Sequence, residues 1–388
     1  MQWSILGHGL ILPGPGMCNG YSERINMVNY GIIGCGMMGH EHLKNINLLD
    51  GTNISAIFEP NSGMAQSALK LAPEAALVDN LEKLLEFPNL DCLVIASPNH
   101  CHLQQLFKIS EIQKLPILVE KPLFTAVEDK ELILKFIRDY QAPVWVAMEY
   151  RYMPPISSFI NNVETVTGGI NMLTIREHRF PFLRKVGNWN RFNINSGGTF
   201  VEKCCHFFDL MRLIIKSEPK RIMASAGQNV NHIDEVYNGK KSDILDNGYV
   251  IVDFENGVRA MLELCMFAEG SKYQEEIIAL GHKGKLETKI PGPVRFWPQK
   301  LGDPPVPLLI KSPRHPMGPQ VTEVKVDPVL LEAGDHHGST YYQHKRFLEL
   351  VRGKIHKPDV TLEDGYKSVI MGIAAQESAK EGRAVEFD

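Results

Sequence analysis

Between residues 28 and 150 the chain switches repeatedly between two hydrophobic periods, and that switching limits the fold more than any other feature. The apolar runs VNYGIIG, ISAIFE, DCLVIAS, LPILVE and APVWVAM alternate with segments such as SGMAQSALKLA and EDKELILKFIRDY, whose apolar residues recur at helical spacing. Strands that are apolar on both faces need helices above and below, so the pattern predicts βαβ units around a parallel sheet. With right-handed crossovers, a doubly wound Rossmann domain over 28–150 is the expected α/β architecture.

The first strand runs straight into GCGMMGHEH, which sets Gly34, Gly36 and Gly39 in the G-x-G-x-x-G spacing. Gly34 permits a tight turn, Gly36 lets the backbone approach a pyrophosphate, and Gly39 lets the helix lie close on the strand. The helix that opens at Met37 and Met38 adds free N–H donors and a positive dipole end. Glu59 follows the second strand, where its carboxylate can accept from ribose hydroxyls and would repel a 2′-phosphate. NAD is therefore the expected cofactor, with NADP disfavoured. Two later strand ends carry SPNHCH (Ser97, Pro98, Asn99, His102) and EKPLF (Glu120, Lys121). Both lie where open α/β sheets bind their ligands, so these residues complete the expected cofactor set.

Past residue 150 the pattern changes. GINMLTIREHRF reads as a strand and FVEKCCHFFDLMRLII as one helix. GYVIVDFENGVRAMLELCMFA reads as a hairpin with a type I′ turn at Asn256-Gly257, and a second hairpin is expected around Lys283-Gly284. Together they predict an α+β domain over 151–388 on a large open, mainly antiparallel sheet, with the Pro- and Gly-rich stretch 291–330 as a surface excursion. On the expected helix Glu202 and His206 lie four apart and Asp209 three further, so all three share a face. Cys204 and Cys205 diverge by about 100° and cannot close a tetrahedral shell with His206. A packing role for the thiols is expected, and no metal.

With 388 residues and 44% hydrophobic content, the chain can bury the cores of two or three domains. Its seven cysteines are odd in number and scattered apart from one adjacent pair, as for reduced thiols in a cytoplasm. A net charge of −4 provides no electrostatic footprint for nucleic acid or an anionic membrane, and no apolar run reaches the length of a bilayer span. Residues 1–27 read as a loosely ordered leader rather than a secretory signal, with Met27 as an alternative start.

In their order along the chain, GCGMMG, Glu59, SPNHCH, EKP and a helix preceded by Gly197-Gly198-Thr199 resemble the glucose–fructose oxidoreductase/inositol dehydrogenase/MocA (Gfo/Idh/MocA) family. The resemblance is clear over residues 28–290 and looser in the C-terminal helices. It implies an NAD-dependent dehydrogenase for a sugar, cyclitol or sugar derivative, with Lys121 acting beside His206. It also implies a cis Lys121–Pro122 bond and an open second-domain sheet that pairs in a homo-oligomer. Three departures stand out: Glu202 occupies the family's Asp position, Cys204 its Gly, and Glu149-Tyr150 its common Asn-Arg.

Oxidising a secondary alcohol needs a base for the hydroxyl proton and a cation beside the developing alkoxide. His206 suits the first role and Lys121 the second, with Glu202 holding the imidazole's tautomer. Two other readings remain open: an NAD-dependent glycoside hydrolase that oxidises a ring hydroxyl transiently, and a non-catalytic NAD- and sugar-sensing regulator. Retention of both Lys121 and His206 argues against the regulator. The segment REHRFPFLRKVGNWNRFN supplies the expected substrate-binding residues Arg176, His178, Arg179, Trp189 and Arg191 beside His206. Its guanidinium groups suit an anionic sugar.

Overall fold

The first domain hangs on six parallel strands, β1 (Val28–Ile33), β2 (Thr52–Phe58), β3 (Ala76–Val78), β4 (Cys92–Ile95), β5 (Ile117–Val119) and β6 (Val144–Val146), in the order β3-β2-β1-β4-β5-β6. The computed structural model describes residues 27–387, so the leader expected over residues 1–27 lies, but for Met27, outside the described residues. CLVI, ILV and VWV are buried at every position, because helices cover both faces of the sheet. The covering helices are α1 (Met37–Ile46), α2 (Ser62–Leu71), α3 (Leu81–Leu85), α4 (His102–Ile112) and α5 (Lys130–Asp139). Asn61 and Asn80 begin α2 and α3 by accepting from the backbone N–H of Met64 and Lys83, which satisfies donors that the first helical turn leaves free. Strand order reverses between β1 and β4, and the loops after β1, β4 and β5 all open on that crevice.

The second domain begins with α6 (Pro154–Thr167) and β7 (Met172–His178), followed by α7 (Asn193–Ser196), α8 (Thr199–Glu202) and α9 (Cys205–Ile215). It continues through β8 (Pro219–Gly227), the two-stranded ribbon β9 (Val236–Tyr237) and β10 (Lys240–Lys241), and then β11 (Asn247–Phe254), β12 (Arg259–Cys265), β13 (Glu275–Leu280) and β14 (Gly284–Ile290). β15 (Leu308–Pro313), β16 (Gln320–Glu323), α10 (Pro328–Ala333), α11 (Ser339–Val351), α12 (Leu362–Glu381) and β17 (Val385–Glu386) complete it. Nine of these strands form one sheet, β16-β15-β14-β13-β7-β12-β11-β8-β17, in which only the β7/β12 pair is parallel. Burial alternates along the strands, so one face packs on α6, α9 and α12 while the other is open. No helix among the described residues is long and apolar enough to cross a membrane.

Three sequence expectations need correction here. The Pro- and Gly-rich stretch 291–330 is more than an excursion, because β15 and β16 extend the sheet edge by pairing in turn on β14. The β11–β12 hairpin forms, but only Gly257 has a positive φ, at 85°, and its N–H bonds to the Phe254 carbonyl. That is a type I turn followed by a left-handed glycine, not a type I′ turn. The single helix expected over 200–215 is broken between Glu202 and Cys205.

The chain's end returns to the first domain. Phe347, Leu348, Leu350, Val360, Leu362 and Val369 join the same apolar core as the parallel strands, as do Val201 and Cys205. Cys204, one residue earlier, packs in the second domain's core, so the two thiols serve opposite cores. Asp209, expected beside Glu202 and His206, instead receives a bidentate bond from Arg151, with Nε at 2.6 Å. Both side chains are nearly excluded from water. Removing the guanidinium would leave a buried carboxylate unpaired, so Arg151→Ala is expected to lower unfolding stability by about 3–5 kcal/mol, measured by urea denaturation.

Candidate active site

The glycine turn after β1 is as tight as its spacing implies. Gly34 has φ 87°, and a Cβ there would sit 2.7 Å from the backbone of Ser97; one on Gly39 would sit 2.4 Å from the Gly34 carbonyl oxygen. A Cβ on Gly36, by contrast, would meet nothing within 4 Å, so its backbone borders open space at the start of α1. α1 has no acidic residue in its first turn and no side-chain cap, which leaves its N–H groups free for an anion. The Glu59 carboxylate is held against this loop, accepting from the N–H of Cys35 at 2.6 Å and of Asn61 at 2.8 Å. An open cradle, free donors and a fixed acceptor fit a dinucleotide.

Beside this cradle, a cavity of ≈ 90 Å³ lies between the domains. Met37, Met38, Glu41 and Lys121 line it from the first domain, and Arg179, Lys185, Glu202, Lys203 and His206 from the second. Lys121 follows β5, its bond to Pro122 is cis, and its ammonium donates to the Glu202 carbonyl at 3.0 Å. Burial pulls its pKa down, but Cys205, Glu120, Glu202 and Glu149 outweigh burial and raise it, so the group stays charged. The His206 imidazole is buried, and its Nδ1 has no partner among the described residues. Burial, then the charges of Lys121, Lys203, His336 and Arg179, hold its pKa well below the usual histidine value. It is therefore neutral at rest and able to take a proton. Glu202 does not hold the ring: its Oε2 lacks a partner, and its Oε1 is 3.8 Å from the Lys185 ammonium. Burial raises the Glu202 pKa, partly opposed by Lys185 and Lys121.

Several side chains expected here are committed elsewhere. His102 is fully buried and sets its two nitrogens against the carbonyls of Pro122 and Ser97, so it pins the β4 and β5 loops together. Glu120 turns its carboxylate to His42 at 3.0 Å, and Asn99 gives its amide to the Ser196 carbonyl. Ser97 donates to Gln105, leaving only its backbone and that of Pro98 at the loop. Arg176 and His178 project from the open sheet face, both paired with Glu263, because they alternate with the inward residues Ile175 and Glu177. Arg191 is buried against Glu235 and the Phe182 carbonyl. Trp189 stands behind the cavity, against His100 and under the Lys185 ammonium at 4.7 Å. Of the five residues expected to bind substrate besides His206, Arg179 alone lines the cavity.

Other lining residues escaped sequence reasoning. Lys203, Tyr150, Glu149, Gln274 and His336 come from four distant segments. Lys203 carried a signal, as a charged residue beside Glu202 inside the otherwise mostly apolar run FVEKCCHFF, and Glu149-Tyr150 stood out as a departure from the family pattern. His336 had none. It bridges Glu149 at 3.1 Å and Glu41 at 3.3 Å, and among the described residues these three are the group spaced to hold a metal ion. The ring itself fills that role as a cation: burial opposes its charge, but Glu149 and Glu41 raise its pKa to about 9.

The domain descriptions of known families match over most of the chain. Residues 28–148 match the Gfo/Idh/MocA "Oxidoreductase family, NAD-binding Rossmann fold", and residues 163–387 the same family's "C-terminal alpha/beta domain". The chain belongs to the Gfo/Idh/MocA family and is an NAD-binding oxidoreductase of that type. It is 28% identical to an inositol 2-dehydrogenase of Corynebacterium glutamicum (strain R) over 69% of this chain and 75% of that one. With the myo-inositol 2-dehydrogenase of Thermotoga maritima it shares 23% identity over 92% and 98% of the two chains. The solved structure of levoglucosan dehydrogenase with NADH and levoglucosan superimposes with a TM-score of 0.75 at 18% identity, covering 93% of this chain and 99% of that one.

His336 gives a pH test. Its folded pKa of about 9 lies above the ordinary 6.5, so its contribution to stability is complete below pH 6.5 and lost as pH rises through 9. The melting temperature is expected to fall across that window, and His336→Gln to flatten the fall, in scans at fixed ionic strength.

Proposed function

We propose that this protein oxidises a secondary hydroxyl of a sugar, cyclitol or sugar derivative, with NAD preferred over NADP. The observation that carries this reading is the convergence of Lys121 and His206 on one interdomain cavity beside the glycine turn. Bound NAD supplies the hydride acceptor. The neutral imidazole of His206 takes the hydroxyl proton, and the Lys121 ammonium stabilises the charge developing on oxygen. Glu202, with a buried and unpartnered Oε2, serves as an acceptor for a neighbouring substrate hydroxyl rather than as a clamp on the ring. The inositol dehydrogenases among its relatives and the levoglucosan-bound neighbour support a polyhydroxylated ring as the substrate class.

The same cavity favours a negative group on that ring. Arg179 comes no closer than 3.9 Å to the Glu177 carboxylate, and Lys185 no closer than 3.8 Å to Glu202, so neither cation is neutralised by a close pair. Loose pairing leaves hydrogen-bonding capacity for a carboxylate, sulfonate or phosphate. On the open sheet face Met223, Tyr249 and Ile251 are about half exposed in adjacent strands, which supports homo-oligomer pairing through that face.

Lys121→Ala and His206→Ala are each expected to lower turnover by roughly 10²-fold or more while leaving NAD affinity within a few-fold. A panel of sugars, cyclitols and glycosides, followed by NADH absorbance and by product analysis together, checks this. NADH accumulating with the oxidised sugar supports net dehydrogenation; product without NADH would replace it with redox-neutral chemistry. In the same panel, acidic sugars are expected to show higher kcat/KM than their neutral counterparts, and Arg179→Ala to narrow the gap. A neutral polyol that outperforms every acidic analogue, unaffected by Arg179→Ala, would remove the anionic preference.

A further inference from the structure

Among the described residues no hydrogen-bond partner orients the His206 ring, yet a general base must present its lone pair at a fixed angle. Its Nδ1 is buried without a partner, and the neighbouring Glu202 carboxylate leaves Oε2 unused. What lies against the ring is Tyr150, stacked with centroids 4.2 Å apart and planes only 10° from parallel. Tyr150 is itself held. Its hydroxyl accepts a short bond from the Lys203 ammonium, which also pairs with Glu177 at 2.8 Å. Tyr150, Lys203 and Glu177 are all nearly excluded from water, so the arrangement is enclosed from the ring to the carboxylate.

Position in the chain makes this chain of contacts specific to the site. Tyr150 belongs to the short turn of helix Glu149–Tyr152, just past the last parallel strand, and Lys203 falls in the break between α8 and α9, between Glu202 and His206. In an unbroken helix Lys203 would point about 100° away from Glu202 on a regular surface. In the break it reaches Glu177 on β7, under the sheet.

We propose that Tyr150 and Lys203 are positioning residues for His206: the phenol ring sets the plane of the imidazole, and the ammonium pins the phenol and supplies a fixed positive charge near the base. The proposal rests on the assignment of His206 as the proton acceptor. The charged and titratable groups that line the cavity with that imidazole are Glu41 from α1, Lys121 from the β5 loop, Lys203 and Glu202 from the helix break, Glu149 and Tyr150 from the short helical turn, Arg179 and Lys185 past β7, and Asp335 and His336 before α11. Of these, Lys121, Lys203, His336 and Arg179 oppose an added charge on the ring, so removing one should make protonation easier.

Two readouts test it. Histidine-labelled protein is titrated by NMR, with the His206 ring signals identified as those lost in His206→Asn; this needs no substrate. Stacking on Tyr150 should displace those ring signals upfield in the unmodified protein. In the double variant Glu177→Gln/Lys203→Met, which removes the ammonium acting on the ring together with the β7 carboxylate it pairs with, the His206 midpoint should rise by about half a pH unit or more, because Lys203 and not Glu177 is among the charges acting most strongly on the imidazole. Turnover of whichever panel sugar the unmodified enzyme oxidises should fall by about tenfold or more in kcat for Tyr150→Leu, with KM nearly unchanged, and by less in Tyr150→Phe, which keeps the ring. Unshifted ring signals, or Tyr150→Leu with full kcat, would overturn the role of Tyr150. An unmoved midpoint in the folded double variant would overturn that of Lys203. Full turnover by His206→Asn would instead defeat the base assignment, an outcome distinct from both.

Discussion

The break between α8 and α9 is the constraint on which the site depends. At that point the Glu202 carbonyl accepts the Lys121 ammonium, the one direct bond found from the first domain's lysine to the second domain's backbone. No proline or glycine interrupts TFVEKCCHFF, so propensity does not explain the break. The segment serves both domains: Val201 and Cys205 belong to the core around the parallel sheet, whereas Phe200 and Cys204 belong to the core under the nine-stranded sheet. Where the turn loosens, a buried lysine, Lys203, and the Glu202 carbonyl that receives Lys121 lie at the boundary between the two cores.

Charge at this break is arranged by pairing rather than by exposure. Lys203 is balanced by Glu177 and His336 by Glu41 and Glu149, while Lys121 has only carboxylates on neighbouring segments and a carbonyl. Burial pushes Glu275 up to about 7, with Glu177 adding to the effect, so that carboxyl takes up a proton rather than leave two buried anions side by side. His206 responds in the opposite sense, since burial, and after it the surrounding cations, keep it uncharged. A neutral base beside a charged lysine is thus the shared product of low dielectric and the local excess of positive charge.

Much of this was legible in the sequence wherever function rests on local geometry. The Gly34–Gly39 turn, Glu59 and the lysine after β5 lie where strand periodicity and motif spacing put them, because each depends only on its own strand end. Strand parity could also have sorted the basic segment. Leu173 and Ile175 mark the inward face of β7, so Glu177 had to follow them inward and Arg176 and His178 had to face out. Arg191 could not be sorted in this way, since its burial depends on Glu235, 44 residues away. The helix break was equally hidden: no proline or glycine within residues 199–209 marks it.

His336 shows why the remaining part of the site could not be read locally. It reaches the cavity because α11 and α12 return to the first domain, with Tyr30 and Phe347 packed edge to face at 6.3 Å and His344 bonded to His42 across 302 residues. The Thr340 hydroxyl lies within hydrogen-bonding distance of both Glu41, on α1, and Glu149, after β6. The cavity wall therefore joins residues from the start, middle and end of the chain. Such a wall closes only after contacts of very large sequence separation have formed, and these carry the largest loop-closure cost. Before the C-terminal helices dock, Glu41 and Glu149 lack their cation and two carboxylates would repel across the future site. The helices that complete the parallel-sheet core thus also supply the charge that lets the cavity close.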